Sequence, residues 1–274
     1  MNNVIASITT NDILYELILA VYSAGFIVLV AQWINRPFPV RRNRLPLFFP
    51  IFQLLVWLSA AIMANEILKR ILHGKPESTI LFAQTAAAAL LQILFGVALL
   101  CFAQVSFVRG LKGLGLRWKT GFSDFWRGAL NLLAIYPVIL FALQTTVLVG
   151  ICIFGSDFAL EQHQSLVELS ESGSIGMKIL LVFSAVIIAP MFEELMFRGL
   201  VQSTLTAHLG RPFLSIGITS LLFAAMHPST HFAGIFVLSC GMGLAYEKSG
   251  SLFRSIWMHF LFNSISIVGT LIRF

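Results

Sequence analysis

Pro190-Met191-Phe192-Glu193-Glu194-Leu195-Met196-Phe197-Arg198-Gly199 sets two adjacent carboxylates and an arginine inside an apolar run. Charge is costly at membrane depth, and an ionisable side chain placed there marks a functional site by default. Working outward, the apolar stretch covers 177–200, the length of about 20 residues that a helix needs to cross the hydrocarbon core. The whole chain has the same character. Hydrophobic residues make up 58% of it, charged residues only 11%, and the mean hydropathy is +0.88. Soluble domains carry about 25% charged residues. The chain therefore reads as an all-α polytopic membrane helical bundle. The first twelve residues contain no Lys or Arg, so they lack the basic region of a cleavable signal, and the first apolar stretch is expected to be a span.

About eight transmembrane helices are expected, at 13–34, 46–68, 79–105, 129–154, 177–200, 212–227, 232–247 and 255–272, the sixth and seventh being short. The basic residues sort themselves on this layout. Arg36, Arg41, Arg42 and Arg44 fall in one connection, and Arg109, Lys112, Arg117, Lys119 and Arg127 in another on the same side, joined there by Arg198, Arg211, Lys248 and Arg254. Lys69, Arg70, Lys75, Lys178 and Arg273 fall on the opposite side. Loops rich in Lys and Arg stay in the cytosol, which puts both termini outside. The loop 155–176 holds Asp157, Glu161, Glu168 and Glu171 and no Lys or Arg, as suits the outer face. The net charge of +6 and pI near 9.6 are explained by those basic loops, and nothing points to nucleic acid, nucleotide or haem. Residues 1–128 contain the N-terminal helices and a cytosolic linker with no separate function assigned. Within that linker, Trp118, Phe122, Phe125 and Trp126 suit an interfacial position. Residues 129–274 form the core that carries the motifs between 193 and 263. Cys101, Cys152 and Cys240 have neither disulfide nor zinc-knuckle spacing.

The chemistry concentrates in the last hundred residues. Glu194 and Arg198 are four apart and share a helix face; Glu193 is turned about 100° away and is left uncommitted. Glu194 is then the paired carboxylate and Glu193 the reactive one. With Gly210 as a hairpin tip, Glu193 lies seventeen residues before it and His227 seventeen after it. Equal offsets on antiparallel helices give equal depth, roughly 25 Å from the tip. Pro228 should end the helix behind His227, and irregular backbone at membrane depth is tolerated where it lines a watery cavity. His259 and Asn263, again four apart, are placed to donate to an oxyanion. Phe223 should pack beneath His227. Counting from the Ser249-Gly250 turn puts His259 roughly 13 Å below the cytosolic face.

Three ordered motifs carry a resemblance: Glu193-Glu194-x-x-x-Arg198, Phe223-x-x-x-His227 and His259-x-x-x-Asn263, with a Gly-Ser turn at Ser249-Gly250-Ser251 before the last. In this order they are similar to the CAAX-protease and bacteriocin-processing (CPBP) family of intramembrane proteases, relatives of the type II CAAX prenyl endopeptidases. The resemblance covers residues of about 177–272. It implies a membrane endopeptidase in which Glu193 and His227 activate a water while His259 and Asn263 hold the oxyanion. Its substrate would be a peptide or lipidated protein of CAAX or leader-peptide type, in a bacterial plasma membrane. No cofactor is required on this reading. Members have also been called metalloproteases on motif grounds, and a divalent metal such as zinc would then fall to Glu193, His227 and His259. The His227-x-x-x-His231 spacing also fits a metal, but the zincin pattern is absent and Pro228 interrupts the helix that would align the two.

Other readings use the same residues. Glu194 and Arg198 also fit a purely structural ion pair, and His227, His259 and Asn263 fit interhelical hydrogen bonds. A non-catalytic immunity or assembly factor of the same family would keep the fold and tolerate loss of Glu193. A transporter would be expected to show repeated halves with broken helices, and no repeat is found. The oligomeric state is not legible in the sequence.

Overall fold

A computed structural model describes residues 13–24, 43, 45–161 and 164–272. The rest of the first expected span (25–34), four of the expected cytosolic arginines (Arg36, Arg41, Arg42, Arg44) and Arg273 lie outside the described residues. The described chain is helical, with one isolated bridge between Asn43 and Phe107. Its helices are α1 (Ile13–Ala24), α2 (Phe49–Ile71), α3 (Glu77–Ser106), the short α4 (Leu111–Leu114), α5 (Gly121–Phe154), α6 (Gln164–Glu171), α7 (Ile175–Leu209), α8 (Pro212–Ala225), α9 (Phe232–Ser249) and α10 (Leu252–Ile272). Six are long and apolar enough to cross a membrane: α2, α3, α5, α7, α9 and α10, with α5 and α9 each counted with the 3₁₀ turn before it. The other two expected spans are apolar, and their described helices are shorter. α8 has 14 residues, roughly 21 Å of rise, and α1 has its described part in Ile13–Ala24.

The boundaries follow from local chemistry. α7 stops at Gly210, whose φ of 63° is in the left-handed region that glycine reaches without penalty. Pro212 then opens α8 at a position where its missing N–H is harmless. α8 ends at Ala225, just before His227-Pro228, because a proline cannot continue the helical ladder.

α7 is not a regular α-helix. It contains two π-helical stretches, Ser184–Ile188 and Leu195–Gln202, on either side of Ala189–Glu194. The first has an identifiable cause in Pro190. The Ala189 N–H reaches back five residues to the Ser184 carbonyl; in that register the Ala185 carbonyl would take its bond from residue 190, which has no N–H. The side-chain amide of Asn263 on α10 donates to it instead, at 2.8 Å.

α7 sits centrally, packed against α2, α3, α8 and α10. The core is built from Phe192, Met196 and Phe197 of α7, Phe223 of α8, Leu238, Met242 and Tyr246 of α9 and Leu252 and Met258 of α10, all buried. Lipid tails are as apolar as leucine, so close packing and polar contacts must hold such helices together. Between α7 and α9 they recur at one fixed offset: Arg198 with Ser239, Gln202 with Gly243 and Thr206 with Glu247, each 41 residues apart. A constant offset means that the two helices run parallel along a polar seam stepped every four residues. Gly243 permits the approach. A β-carbon there would lie 2.7 Å from Gln202 Oε1 and 3.2 Å from Ile216. Gly243→Val is expected to lower stability by about 1–3 kcal/mol through overpacking, read as a lower melting midpoint in detergent; an unchanged midpoint would show that the seam is not tightly packed.

Candidate active site

The site forms where the segment between the two π stretches of α7 meets α10 and the end of α8. Glu194 is fully buried. Its Oε1 accepts from Arg198 Nη1 at 2.8 Å and from His259 Nδ1 at 3.0 Å. Arg198 is equally buried and spends its second terminal nitrogen on Ser239, at 2.7 Å to the hydroxyl and 3.3 Å to the carbonyl. Its guanidinium also lies over the Phe223 ring, 4.6 Å from the centroid, in cation–π geometry. The planar fork lets one cation hold a carboxylate and a neighbouring helix together.

Glu193 has a different environment. Its side chain keeps 22% of its exposure, and its Oε2 lies 3.8 Å from His259 Nε2, beyond direct hydrogen-bond reach. That oxygen is buried and has no hydrogen-bond partner among the described residues. Glu194 Oε2 is likewise buried without a partner among the described residues; the two differ in that Glu194 is fully buried and bonded twice through Oε1, while Glu193 stays partly exposed. His259 thus stands between the two glutamates, with Nδ1 fixed by Glu194 and Nε2 facing Glu193.

Phe223 connects the remaining histidine. The His227 ring packs on it with centroids 4.7 Å apart, and the His259 ring meets it edge-on at 5.8 Å. His227 Nδ1 lies 2.8 Å from the Phe223 carbonyl. A carbonyl only accepts, so Nδ1 carries a proton and donates to it. The structure therefore brings Glu193, Glu194, Arg198 and His259 into one cluster, with His227 joined to it through Phe223. Asn263 is on the same helix as His259, but its amide is occupied by Ala185. His231 turns away: its Nε2 donates to the Glu161 carbonyl in the loop before α6, at 2.6 Å. Among the described residues, no three His, Cys, Asp or Glu side chains are gathered as a metal-binding group.

Ser239 and Gln202 were not legible as site residues. Both are fully buried. Gln202 donates to the Gly243 carbonyl at 3.1 Å and to Glu247 at 3.0 Å, carrying the polar seam from Arg198 toward the α9 terminus. The repeat of polar residues every four positions at 194, 198, 202 and 206 was the available signal.

An all-helical bundle with six membrane-length helices and a buried Glu–Arg–His cluster defines an integral membrane protein with a polar site in its interior. Residues 175–265, which contain every motif residue, match the family model of Rce1-like type II CAAX prenyl endopeptidases, so the part of the chain that builds the site is similar to this protease family. The chain is also 24% identical over 208 residues to a protein of Escherichia coli called an uncharacterized 24.3 kDa protein, covering 74% of this chain and 85% of that one. No solved structure matches it.

Proposed function

We propose that the protein is an intramembrane endopeptidase that hydrolyses a peptide bond with a water activated by Glu193. The observation that carries this reading is the asymmetry of the two glutamates. Each has one buried oxygen without a hydrogen-bond partner among the described residues, but Glu194 is bonded through its other oxygen by both Arg198 and His259 and is fully buried, whereas Glu193 keeps 22% of its exposure and faces the same histidine at 3.8 Å. Glu193 takes a proton from the water, and the hydroxide adds to the scissile carbonyl carbon. His227, through its Nε2 lone pair, holds the second water hydrogen. His259, protonated on both nitrogens and held by Glu194, donates from Nε2 to the oxyanion. Glu193 then returns its proton to the leaving nitrogen as the C–N bond breaks, leaving an acid and an amine. No step passes through a metal ion. Arg198 supplies the fixed positive charge beside Glu194.

The substrate class that fits is a CAAX-type lipidated protein tail or a leader peptide, reaching the site from the cytosolic side of a bacterial plasma membrane with both termini of the enzyme outside. The placement of the basic loops and the Escherichia coli relative support that location. One observation favours the alternative of a non-catalytic immunity or assembly factor: Asn263, the other expected oxyanion donor, is held by the Ala185 carbonyl. The deciding experiment compares cleaved peptide termini in membranes carrying wild type or Glu193→Ala at equal abundance. Termini confined to wild type are expected, and they should persist when purified protein is assayed with a chelator. Identical termini in both membranes would leave the non-catalytic role in front.

A further inference from the structure

Five cations lie between α3 and the first turns of α5: Arg109, Lys112, Arg117, Lys119 and Arg127, all exposed. One carboxylate lies among them. Asp124 is buried and already committed, accepting from Arg254 at 3.0 Å and from Ser251 at 2.6 Å. No ion pair joins any of the five cations to a carboxylate among the described residues. Beside them, Trp118, Phe122 and Trp126 are spaced by four and are 82%, 79% and 59% exposed, and the apolar stripe continues through Leu130 and Leu133 into the span. Aromatic rings at the mouth of a span sit at the headgroup level, so the cations are held at the depth of lipid phosphates.

The same segment is fastened beneath the site. Tyr246 of α9 donates through its hydroxyl to the Leu114 carbonyl, and the Leu252 N–H of α10 donates to the Gly115 carbonyl, each at 3.0 Å. Leu114 is buried against Gly199, where a β-carbon would come within 3.0 Å of it. Gly199 directly follows Arg198. Whatever steadies this loop therefore steadies the helix turn that holds the Glu194–Arg198 pair.

We propose that the segment from Arg109 to Arg127 is a binding site for anionic phospholipid headgroups, and that their binding stabilises the loop docked under α7. A zwitterionic headgroup carries its own cation, so unpaired lysines and arginines select net-negative lipid. The inference rests on the membrane-spanning reading above and not on peptide hydrolysis, so its test needs no cleavage. The full chain is purified in detergent, and its melting midpoint and retained lipid (by native mass spectrometry) are followed as phosphatidylglycerol or phosphatidylcholine is added. Phosphatidylglycerol is expected to raise the midpoint by several degrees and to stay bound; phosphatidylcholine should do neither. Raised salt should erode the response in wild type. In the triple variant Lys112→Gln/Arg117→Gln/Lys119→Gln, apparent affinity for phosphatidylglycerol should fall on the order of 100-fold, while Lys112→Arg/Lys119→Arg retains it. Equal responses to both lipids, a salt-insensitive response, an unaffected triple variant, or the same shift from a soluble acidic peptide would each overturn the proposal.

Discussion

Glu193→Gln is expected to cut kcat for peptide cleavage by about 10²–10⁴-fold, the range for loss of a general base, with little change in KM or melting midpoint. The shape is conserved, and the oxygen being replaced has no hydrogen-bond partner among the described residues, so no contact that holds the fold is lost. What is lost is the ability to take a proton from water. Glu194→Gln provides the contrast. Its Oε1 is shared by Arg198 and His259, so an amide there leaves a buried guanidinium without its counter-charge and should reduce both activity and stability. The pair separates chemistry from architecture in a way that neither variant does alone. Kinetics on a peptide identified from the membrane comparison, with thermal melts in the same detergent, provide both readouts. A Glu193→Gln enzyme that turns over at the wild-type rate would remove Glu193 from the mechanism.

The legible part of this molecule was whatever depends on local spacing. The apolar runs marked where helices lie, Gly210 and Pro212 marked the hairpin, Pro228 marked the end of α8, and the four-residue interval of Glu194 and Arg198 matched an ion pair. The illegible part depends on register between distant segments. Span counting marked the segment at 212–227 as short, and α8, with 14 residues, is shorter than a full crossing. Regular helix geometry set Glu193 and Glu194 on different faces, yet both face one imidazole, Glu194 bonded to Nδ1 at 3.0 Å and Glu193 3.8 Å from Nε2. Pro190 was visible in the sequence. That it would shift α7 into π geometry, and that a side chain 78 residues away would take the released Ala185 carbonyl, depends on how α10 docks. The parallel seam between α7 and α9 is of the same kind: its 41-residue offset has meaning only once both helices are placed side by side.

Arg198→Leu is expected to cost about 3–5 kcal/mol of stability, the penalty for stranding one member of a buried ion pair. Arg198 has three partners at once: Glu194 at 2.8 Å, Ser239 at 2.7 Å and the face of Phe223. Removing it leaves the Glu194 carboxylate in an apolar interior without its counter-charge and unfastens α7 from α9. Arg198→Lys should recover only part of the loss, because a single ammonium lacks the fork that reaches Glu194 and Ser239 together. The informative variant is the double replacement Glu194→Met/Arg198→Met. Well-packed apolar residues can replace a buried ion pair at no cost, or even stabilise by about 1–4 kcal/mol, so the melting midpoint should return toward wild type. Cleavage should not return, because His259 Nδ1 then has no carboxylate to hold the ring and aim Nε2 at Glu193. Recovery of both stability and cleavage would mean that the pair is architecture alone. Recovery of stability without cleavage would make Glu194 and Arg198 positioning residues for the histidine, the role that their hydrogen bonds describe.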